Sequence, residues 1–216
     1  MNPPLTSTEV RVLGALMEKD MTTPEYYPLS LNALVNACNQ KNNRDPVVHY
    51  GPEEVEDALE SLRRRQLVLK TTGREVRVPK YSHRASETLD LGNRELAVMC
   101  VLLLRGPQTI GEIKDRTERM YAFDDLGSVE TTLRKLMERQ PEAFAAKLEH
   151  LPGARDPRYA QLLAGEPQAT PAAAAHSTSA SSSPSRVDRL ESELAALRSE
   201  VEELRRVIDD FRRQFE

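Results

Sequence analysis

The sequence is short of several features, and each absence excludes a class of protein. There is no Trp, and Phe and Tyr together make up only 5% of 216 residues. The longest apolar run, 96–104, is too short to span a bilayer. The N-terminus has no charged segment followed by an apolar one, which a secretory signal would require. These absences predict a cytoplasmic protein with no membrane partner.

Residues that carry catalytic or metal chemistry are also few. Cys38 and Cys100 both lie within apolar helical patterns, which is typical of buried, reduced thiols. The four His residues show no metal-ligand spacing with one another or with Cys. The sequence contains no Gly-rich phosphate loop and no nucleophile elbow. We therefore expect no catalytic residues, no metal and no cofactor.

One pattern occurs twice in the first 163 residues. Thr6 and Glu9 form a predicted capping box, and the helix after it has Val10, Leu13, Leu16 and Met17 on one face. Two more helices are predicted, one from Ser30 and one after Gly51-Pro52. A strand over 67–70, a Thr-Thr-Gly turn and a strand containing Val76 and Val78 complete the first copy.

The second copy repeats this order from Leu91. Its first helix is apolar nearly all round and is predicted to lie between the copies. Thr109 and Glu112 form a second capping box, a third helix begins near Ser128, and strands are predicted at 144–149 and 158–162, joined by a Pro152-Gly153 turn. Three helices followed by a hairpin are the elements of a winged helix. The predicted fold is mainly α with small β-hairpin wings: winged-helix domains at 1–88 and 89–163.

The C-terminal residues have a different composition. Residues 164–185 are rich in Pro, Ala, Ser and Thr and predict a disordered linker. Residues 186–216 predict a coiled-coil helix, because apolar residues recur there every 3.5 positions. The seam comprises Val187, Leu190, Leu194, Leu197, Val201, Leu204, Ile208, Phe211 and Phe215.

The flanking charges favour a parallel homodimer of this coil. Arg186 with Glu191, Glu193 with Arg198, and Glu200 with Arg205 would form attractive pairs between parallel chains. The alternative is a helix that folds back onto its own domains.

Several segments resemble the YceH-like family of uncharacterised bacterial proteins. They are RVLGALMEK (11–19), TTPEYYPLSLNALVNACNQKNNRDPV (22–47), KYSHR (80–84), LRGPQT (104–109), RTERMYAF (116–123) and PGARDPRY (152–159). The resemblance covers roughly residues 5–163 and implies two winged-helix domains. It implies no particular activity.

Winged helices commonly place the third helix in the DNA major groove and the wing on phosphate. Between residues 63 and 84 there are eight Lys or Arg and one acid, which predicts a phosphate-binding wing. The alternative is a solvated basic face. The candidate contacts in this copy are Lys41, Arg44, Arg63, Arg64, Arg65, Lys70, Arg74 and Arg77.

The two third helices differ in charge. Residues 52–61 contain five acids and no base, so the first helix would repel phosphate. The second offers Thr131, Arg134 and Lys135, which are suited to DNA or to an ordinary helix surface.

Three further features leave alternatives open. The polar loop 39–46 could contact bases, or it could brace the second helix against the third. Tyr26 and Tyr27 could stack on a partner or cover the core. Arg105, Arg116 and Arg119 could pair with Glu112, Asp115 and Glu118 at helical spacing, or bind an anion.

The leading functional prediction is a dimeric protein that binds double-stranded DNA. The rival is a scaffold that binds another protein. It is favoured by the acidic third helix and by balanced charge, since residues 1–90 carry 12 bases and 13 acids and residues 91–163 carry 11 of each.

Overall fold

The computed structural model describes residues 3–73, 76–149 and 156–165. The predicted coiled coil, and the predicted linker beyond Gly165, lie outside the described residues. So do the predicted turn at Pro152-Gly153 and the tip of the first wing at 74–75. The described chain forms two halves that repeat one order of elements.

The first half begins with a helix whose start follows from its sequence. The Thr6 hydroxyl accepts from the Glu9 amide at 3.2 Å, and the Glu9 carboxylate accepts from the Thr6 amide at 2.6 Å, as the predicted capping box requires. The helical elements are α1 (Ser7–Thr22), a 3₁₀ turn (Pro24–Tyr26), α2 (Leu31–Cys38), α3 (Pro52–Arg64) and the short α4 (Ala85–Thr88).

A three-stranded antiparallel sheet completes this half. Its strands are β1 (Leu29–Ser30), β2 (Val68–Gly73) and β3 (Val76–His83), in the order β1-β3-β2. The prediction of a turn at Thr71-Thr72-Gly73 was wrong, because these residues continue β2 and the pairing reaches Gly73 opposite Val76. The sequence analysis also missed β1, which is only two residues long and merges into the N-cap of α2.

The second half repeats the pattern with shorter strands. Its helices are α5 (Asn93–Arg105), α6 (Ile110–Thr117) and α7 (Leu126–Met137), followed by β4 (Ala145–Lys147) and β5 (Tyr159–Gln161). The Thr109–Glu112 capping box is present. Gln108 forms an isolated antiparallel bridge with Tyr159 of β5. This bridge occupies the place that β1 occupies beside β3, so the repeat extends to the sheet.

The two halves share one apolar core at the contact of α1 and α5. Every residue from Leu96 to Leu104 is buried, as the all-round apolar pattern predicted. Gly14 of α1 permits the close approach, because a Cβ there would lie 2.9 Å from Leu104 Cδ2 and 3.1 Å from Leu103 Cβ. A backbone hydrogen bond of 2.7 Å from Leu5 to Leu163 also joins the two halves.

The observed architecture is mainly helical with two small antiparallel sheets, an arrangement compatible with winged helices. Within the described ranges no helix is long and apolar enough to cross a membrane. The same ranges contain no group of three or more His, Cys, Asp or Glu placed to hold a metal ion.

Candidate nucleic-acid interface

The basic segment 63–84 contains both exposed cations and cations that are engaged in the fold. Arg63 and Arg64 are exposed in the last turn of α3, where positive charge also suits the helix dipole. Arg63 pairs with Glu60 one turn earlier, and both side chains are solvated. An exposed pair of this kind contributes little stability, so both arginines remain available to a phosphate.

Arg65 is not available in the same way. Its guanidinium donates to the carbonyl oxygens of Pro3 and Pro4, and its Nε lies 3.7 Å from the Glu9 carboxylate. The side chain is 17% exposed. Arg65 therefore attaches the N-terminal segment to α3, which corrects its prediction as a free phosphate contact.

Lys70 of β2 is the next cation along this segment. The Lys70 ammonium lies 5.7 Å from the centroid of the Tyr81 ring, a cation–π contact, and Lys70 is half-buried. The backbone of Arg77 belongs to β3, and Arg74 lies outside the described residues.

Arg44 was predicted to contact nucleic acid, and the structure contradicts this. Its side chain is 0% exposed. The guanidinium makes a two-pronged contact with Glu18 at 2.6 and 3.0 Å and also donates to the Ala37 carbonyl at the end of α2. Burial alone would raise the pKa of Glu18, but Arg44 and Lys19 hold that pKa below its ordinary value. Arg44 is a buried structural cation, whereas Lys41 beside it is exposed.

The whole loop 39–46 is held against α1 and α5. The Asn39 side chain bonds both the amide and the carbonyl of Tyr50, at 2.8 and 2.9 Å. The Asp45 amide donates to the Leu104 carbonyl of α5 at 2.9 Å. Arg11 of α1 donates to the carbonyls of Cys38 and Pro46. These bonds support the structural interpretation, although they join the loop to α1, α5 and Tyr50, which precedes α3, and not to α3 itself.

Arg11 is a structural residue that the sequence analysis missed. It is 4% exposed although it lies within an apolar helix. The sequence did offer an indication that Arg11 is buried, because Arg11 lies between Val10 and Val12 in the stretch 10–17, which has no other polar residue. Its position shows that α1 carries buried charge to fix the loop.

Of the two tyrosines, one covers the core and the other does not. Tyr27 packs on the core, and its hydroxyl accepts from the His83 amide at 2.6 Å. Tyr26 is 71% exposed and does not cover the core.

The outward face of α3 is acidic, as the sequence predicted. Val55, Leu59 and Leu62 are buried. The exposed residues of this helix before its last turn include Glu53, Glu54, Glu56, Asp57 and Glu60. Beside it, Leu69 and Val78 of the first wing are also exposed, at 49% and 52%.

The outward face of α7 has a different character. Val129, Leu133 and Leu136 are buried at the same spacing as the apolar residues of α3. Thr131, Arg134 and Lys135 are exposed on the opposite side. Arg134 lies 3.8 Å from Glu130, and both side chains are more than half exposed, so this pair leaves Arg134 free to move. These three polar or basic side chains therefore lie together on the outward face of α7.

The arginines near α6 follow their predicted pairing only in part. Arg116 lies 3.4 Å from Glu112 at the expected i, i+4 spacing. Arg158 of the last strand region also reaches Glu112, at 3.1 Å. Arg105 instead donates to the side-chain oxygen of Asn43, so it links α5 to the loop 39–46.

A family model described as "Protein of unknown function, DUF480" matches residues 5–154. Relatives named "UPF0502 protein" come from several bacteria. The one from Solibacter usitatus is 54% identical over 194 residues, covering 89% of this chain and 92% of the relative. The one from Geotalea daltonii is 57% identical over 168 residues, covering 78% and 76%. The one from Citrifermentans bemidjiense is 51% identical over 196 residues, covering 90% of each chain.

The comparisons place this mainly helical chain with its small antiparallel sheets among a class of bacterial proteins of unknown function. The chain belongs to the DUF480, or UPF0502, family of uncharacterised bacterial proteins. The predicted resemblance to a YceH-like family of uncharacterised bacterial proteins is therefore confirmed.

Proposed function

We propose that this chain is a non-catalytic DNA-binding protein with two tandem winged helices, and that it acts in the cytoplasm as a parallel coiled-coil dimer. The second winged helix would place α7 in the major groove. Arg63 and Arg64 of the first would contact phosphate. The dimer seam Val187–Phe215 would bring two such units together.

The outward face of α7 is the observation that carries this proposal. Thr131, Arg134 and Lys135 are exposed there, opposite a buried apolar row. Arg and Lys side chains donate to phosphate and to guanine, and Thr can bond to base edges or contact the thymine methyl. An exposed helix with this composition, followed by a hairpin, has the parts that a groove-reading element needs.

The test is the binding of random-sequence duplex DNA, measured by fluorescence anisotropy at about 50 and 200 mM salt. Lys135→Gln should weaken binding and reduce the slope of log affinity against log salt by about one. Arg94→Gln is a matched control, because it removes one exposed charge from the start of α5. If the slope of log affinity against log salt were equal in Lys135→Gln and Arg94→Gln, the assignment of α7 as the DNA-contacting helix would be overturned.

A second candidate function is favoured by a different surface. The acidic face of α3 lies in the same half as the exposed Leu69 and Val78, and this combination would suit a basic, partly apolar protein partner. Under this alternative the chain would be a docking scaffold with no DNA affinity at any salt concentration. Absence of DNA binding at about 50 mM salt would favour it.

A further inference from the structure

A cavity of about 590 Å³ lies where the two halves meet. It is bounded by the end of α1, the loop 39–46, the end of α5 and the end of α6. Its basic lining residues are Lys19, Lys41, Arg105, Arg116 and Arg119. We refer to it as the interhalf cavity. None of the interface residues on α3 or α7 lines it, so its chemistry is separate from that of the proposed DNA surface.

Acids neutralise these cations only in part. Arg116 pairs with Glu112, which lies outside the lining, and the lining itself contains two acids. Glu18 is one of the two, and its carboxylate is already bound by Arg44 at 2.6 and 3.0 Å and approached by Lys19 at 3.4 Å. The other, Asp115, is exposed to solvent. Five basic residues therefore line the cavity against two acids, and an excess of positive charge remains when Glu112 is counted against Arg116.

Arg105 is one of the cations of this lining. Its guanidinium bonds the neutral side-chain oxygen of Asn43, and within the described ranges no carboxylate lies within 4 Å of it. Burial, followed by the charges of Arg116 and Arg44, lowers the pKa of Arg105. Cations that crowd one another in this way would be stabilised by a bound anion.

The floor of the cavity is apolar. Cys100, Val101 and Leu104 of α5 are buried beneath it, and Met120 lies at one side. The volume falls within the range of sites that hold small molecules, which is about 300–1,000 Å³. Guanidinium groups match phosphate oxygens in a planar, two-pronged geometry, and an apolar floor suits a ring or another compact carbon skeleton.

We propose that the interhalf cavity binds a phosphorylated small molecule of nucleotide size. Arg105, Arg116 and Arg119 hold its phosphates, with Lys41 at the rim, and its apolar part rests on Val101 and Leu104. The recess favours a small ligand over duplex DNA, since its cations line a concavity between two packed halves and do not project from a helix face.

Isothermal titration calorimetry on the full chain tests this, with inorganic pyrophosphate and ADP as probes at constant ionic strength set with NaCl. Both probes should bind, and ADP should bind more tightly because it also covers the apolar floor. Arg105→Gln/Arg119→Gln should weaken both by at least about tenfold, a change typical of losing charged hydrogen bonds. Gln can still donate to Asn43, which preserves the contact between α5 and the loop.

Arg94→Gln/Lys147→Gln is the matched control. It also removes two positive charges, both exposed and outside the cavity, and should change affinity less than twofold. If the double cavity variant fails to fold by circular dichroism, Arg119→Gln alone replaces it, since that side chain is exposed and a smaller loss of affinity is then expected.

Three results would overturn the proposal. The first is that neither pyrophosphate nor ADP binds with a Kd below about 1 mM. The second is equal weakening in the control, which would show that only total charge matters. The third is loss of duplex DNA binding in the cavity variant with pyrophosphate binding intact, which would assign these cations to DNA.

Discussion

The two third helices, α3 and α7, have the same packing and opposite surfaces. Each buries three aliphatic residues at i, i+4 and i+7: Val55, Leu59 and Leu62 in one, and Val129, Leu133 and Leu136 in the other. The outward face of α3 is strongly acidic, whereas α7 exposes Thr131, Arg134 and Lys135. The apolar spacing determines where such a helix packs, and it leaves the exposed face free to diverge between repeats.

The halves also differ in how they use buried charge. The first half encloses Glu9, Arg11, Glu18 and Arg44. The described residues of the second half that are buried and polar are Gln108, Thr117 and Thr132, all uncharged. The first half therefore encloses charged side chains, whereas the buried polar side chains described in the second half are neutral.

The largest expected effect comes from removing a buried charge of the first half. Arg44→Ala leaves Glu18 without its principal partner and frees the carbonyl at the end of α2. Loss of one member of a buried pair costs about 3–5 kcal/mol. Urea unfolding followed by circular dichroism measures this difference. Arg63→Ala removes an exposed, paired arginine and should cost less than about 0.5 kcal/mol.

If Arg44→Ala and Arg63→Ala lowered the free energy of unfolding equally, the buried Arg44–Glu18 pair would contribute no more to stability than an exposed pair does. Arg44→Met sharpens the comparison further. It keeps the volume of the side chain stem while removing the charge, so it isolates the electrostatic loss from the loss of packing.

A smaller effect should follow from separating the two halves. Gly14→Val places a side chain against Leu103 and Leu104, where even a Cβ would lie 2.9 Å from its nearest neighbour. Overpacking of this kind costs about 1–3 kcal/mol. The matched control is Gly111→Val in α6, where an added Cβ meets nothing within 4 Å. Thermal unfolding should show a lower midpoint for Gly14→Val alone.

A single shared core would lose stability throughout the described chain. Unfolding of Gly14→Val should therefore remain one transition with a reduced midpoint. Two transitions would instead indicate that the halves fold independently, and an unchanged midpoint would contradict the close approach of α1 and α5.

The sequence predicted best those elements that are defined by local pattern. The two capping boxes, the buried apolar rows of α3 and α7, and the central position of α5 depend on residues within one or two turns of each other. Strand ends were less predictable, because Thr71 and Thr72 suit both a turn and a strand, and only the pairing with β3 decides between them.

The candidate site was harder to predict because exposure depends on distant partners. Arg44 lies in the polar loop 39–46 and Arg65 in a run of three arginines, and neither local sequence shows whether its arginine is exposed. Arg44 is buried by Glu18, 26 positions earlier, and Arg65 is held by Pro3 and Glu9. The positions of Arg134 and Lys135 were predictable, since the apolar spacing of α7 places them on the outward face. Their DNA contacts stay a prediction.

Neutralising the acidic face of α3 tests the contrast between the two third helices directly. Glu56→Gln/Asp57→Asn removes two exposed charges that would repel a nearby phosphate backbone. Affinity for random duplex DNA should rise about three- to tenfold at about 50 mM salt, and less at 200 mM. Glu25→Gln/Glu142→Gln changes the net charge equally at exposed sites outside both third helices.

A rise of the same size in both variants would show that net charge alone governs DNA affinity. A scaffold that does not bind DNA would show no binding in either variant. Only a rise specific to Glu56 and Asp57 would place α3 close to the duplex.

The smallest expected effect is a pH dependence of stability that originates at His83 in the first half. His83 is 5% exposed, accepts from the Ala85 amide through Nδ1 at 3.2 Å, and faces Asp20 through Nε2 at 3.1 Å. Glu87 and the Tyr27 hydroxyl are the other titratable groups near it. These partners require the neutral ring with its proton on Nε2. Burial lowers the pKa of His83, although Asp20 opposes the change.

Because its folded pKa is lowered, His83 binds fewer protons in the folded chain than in the unfolded one. Its contribution is therefore fully present above the unfolded pKa of about 6.5 and is lost as pH falls from there through the lower pKa of the folded chain. The urea midpoint should decrease between about pH 7.5 and 5.5, a window in which unperturbed carboxylates titrate little. His83→Gln can still donate to Asp20 and should flatten this decrease. The described residues of the second half contain no histidine, so an equal decrease in the variant would show that this acid sensitivity does not originate at His83 in the first half.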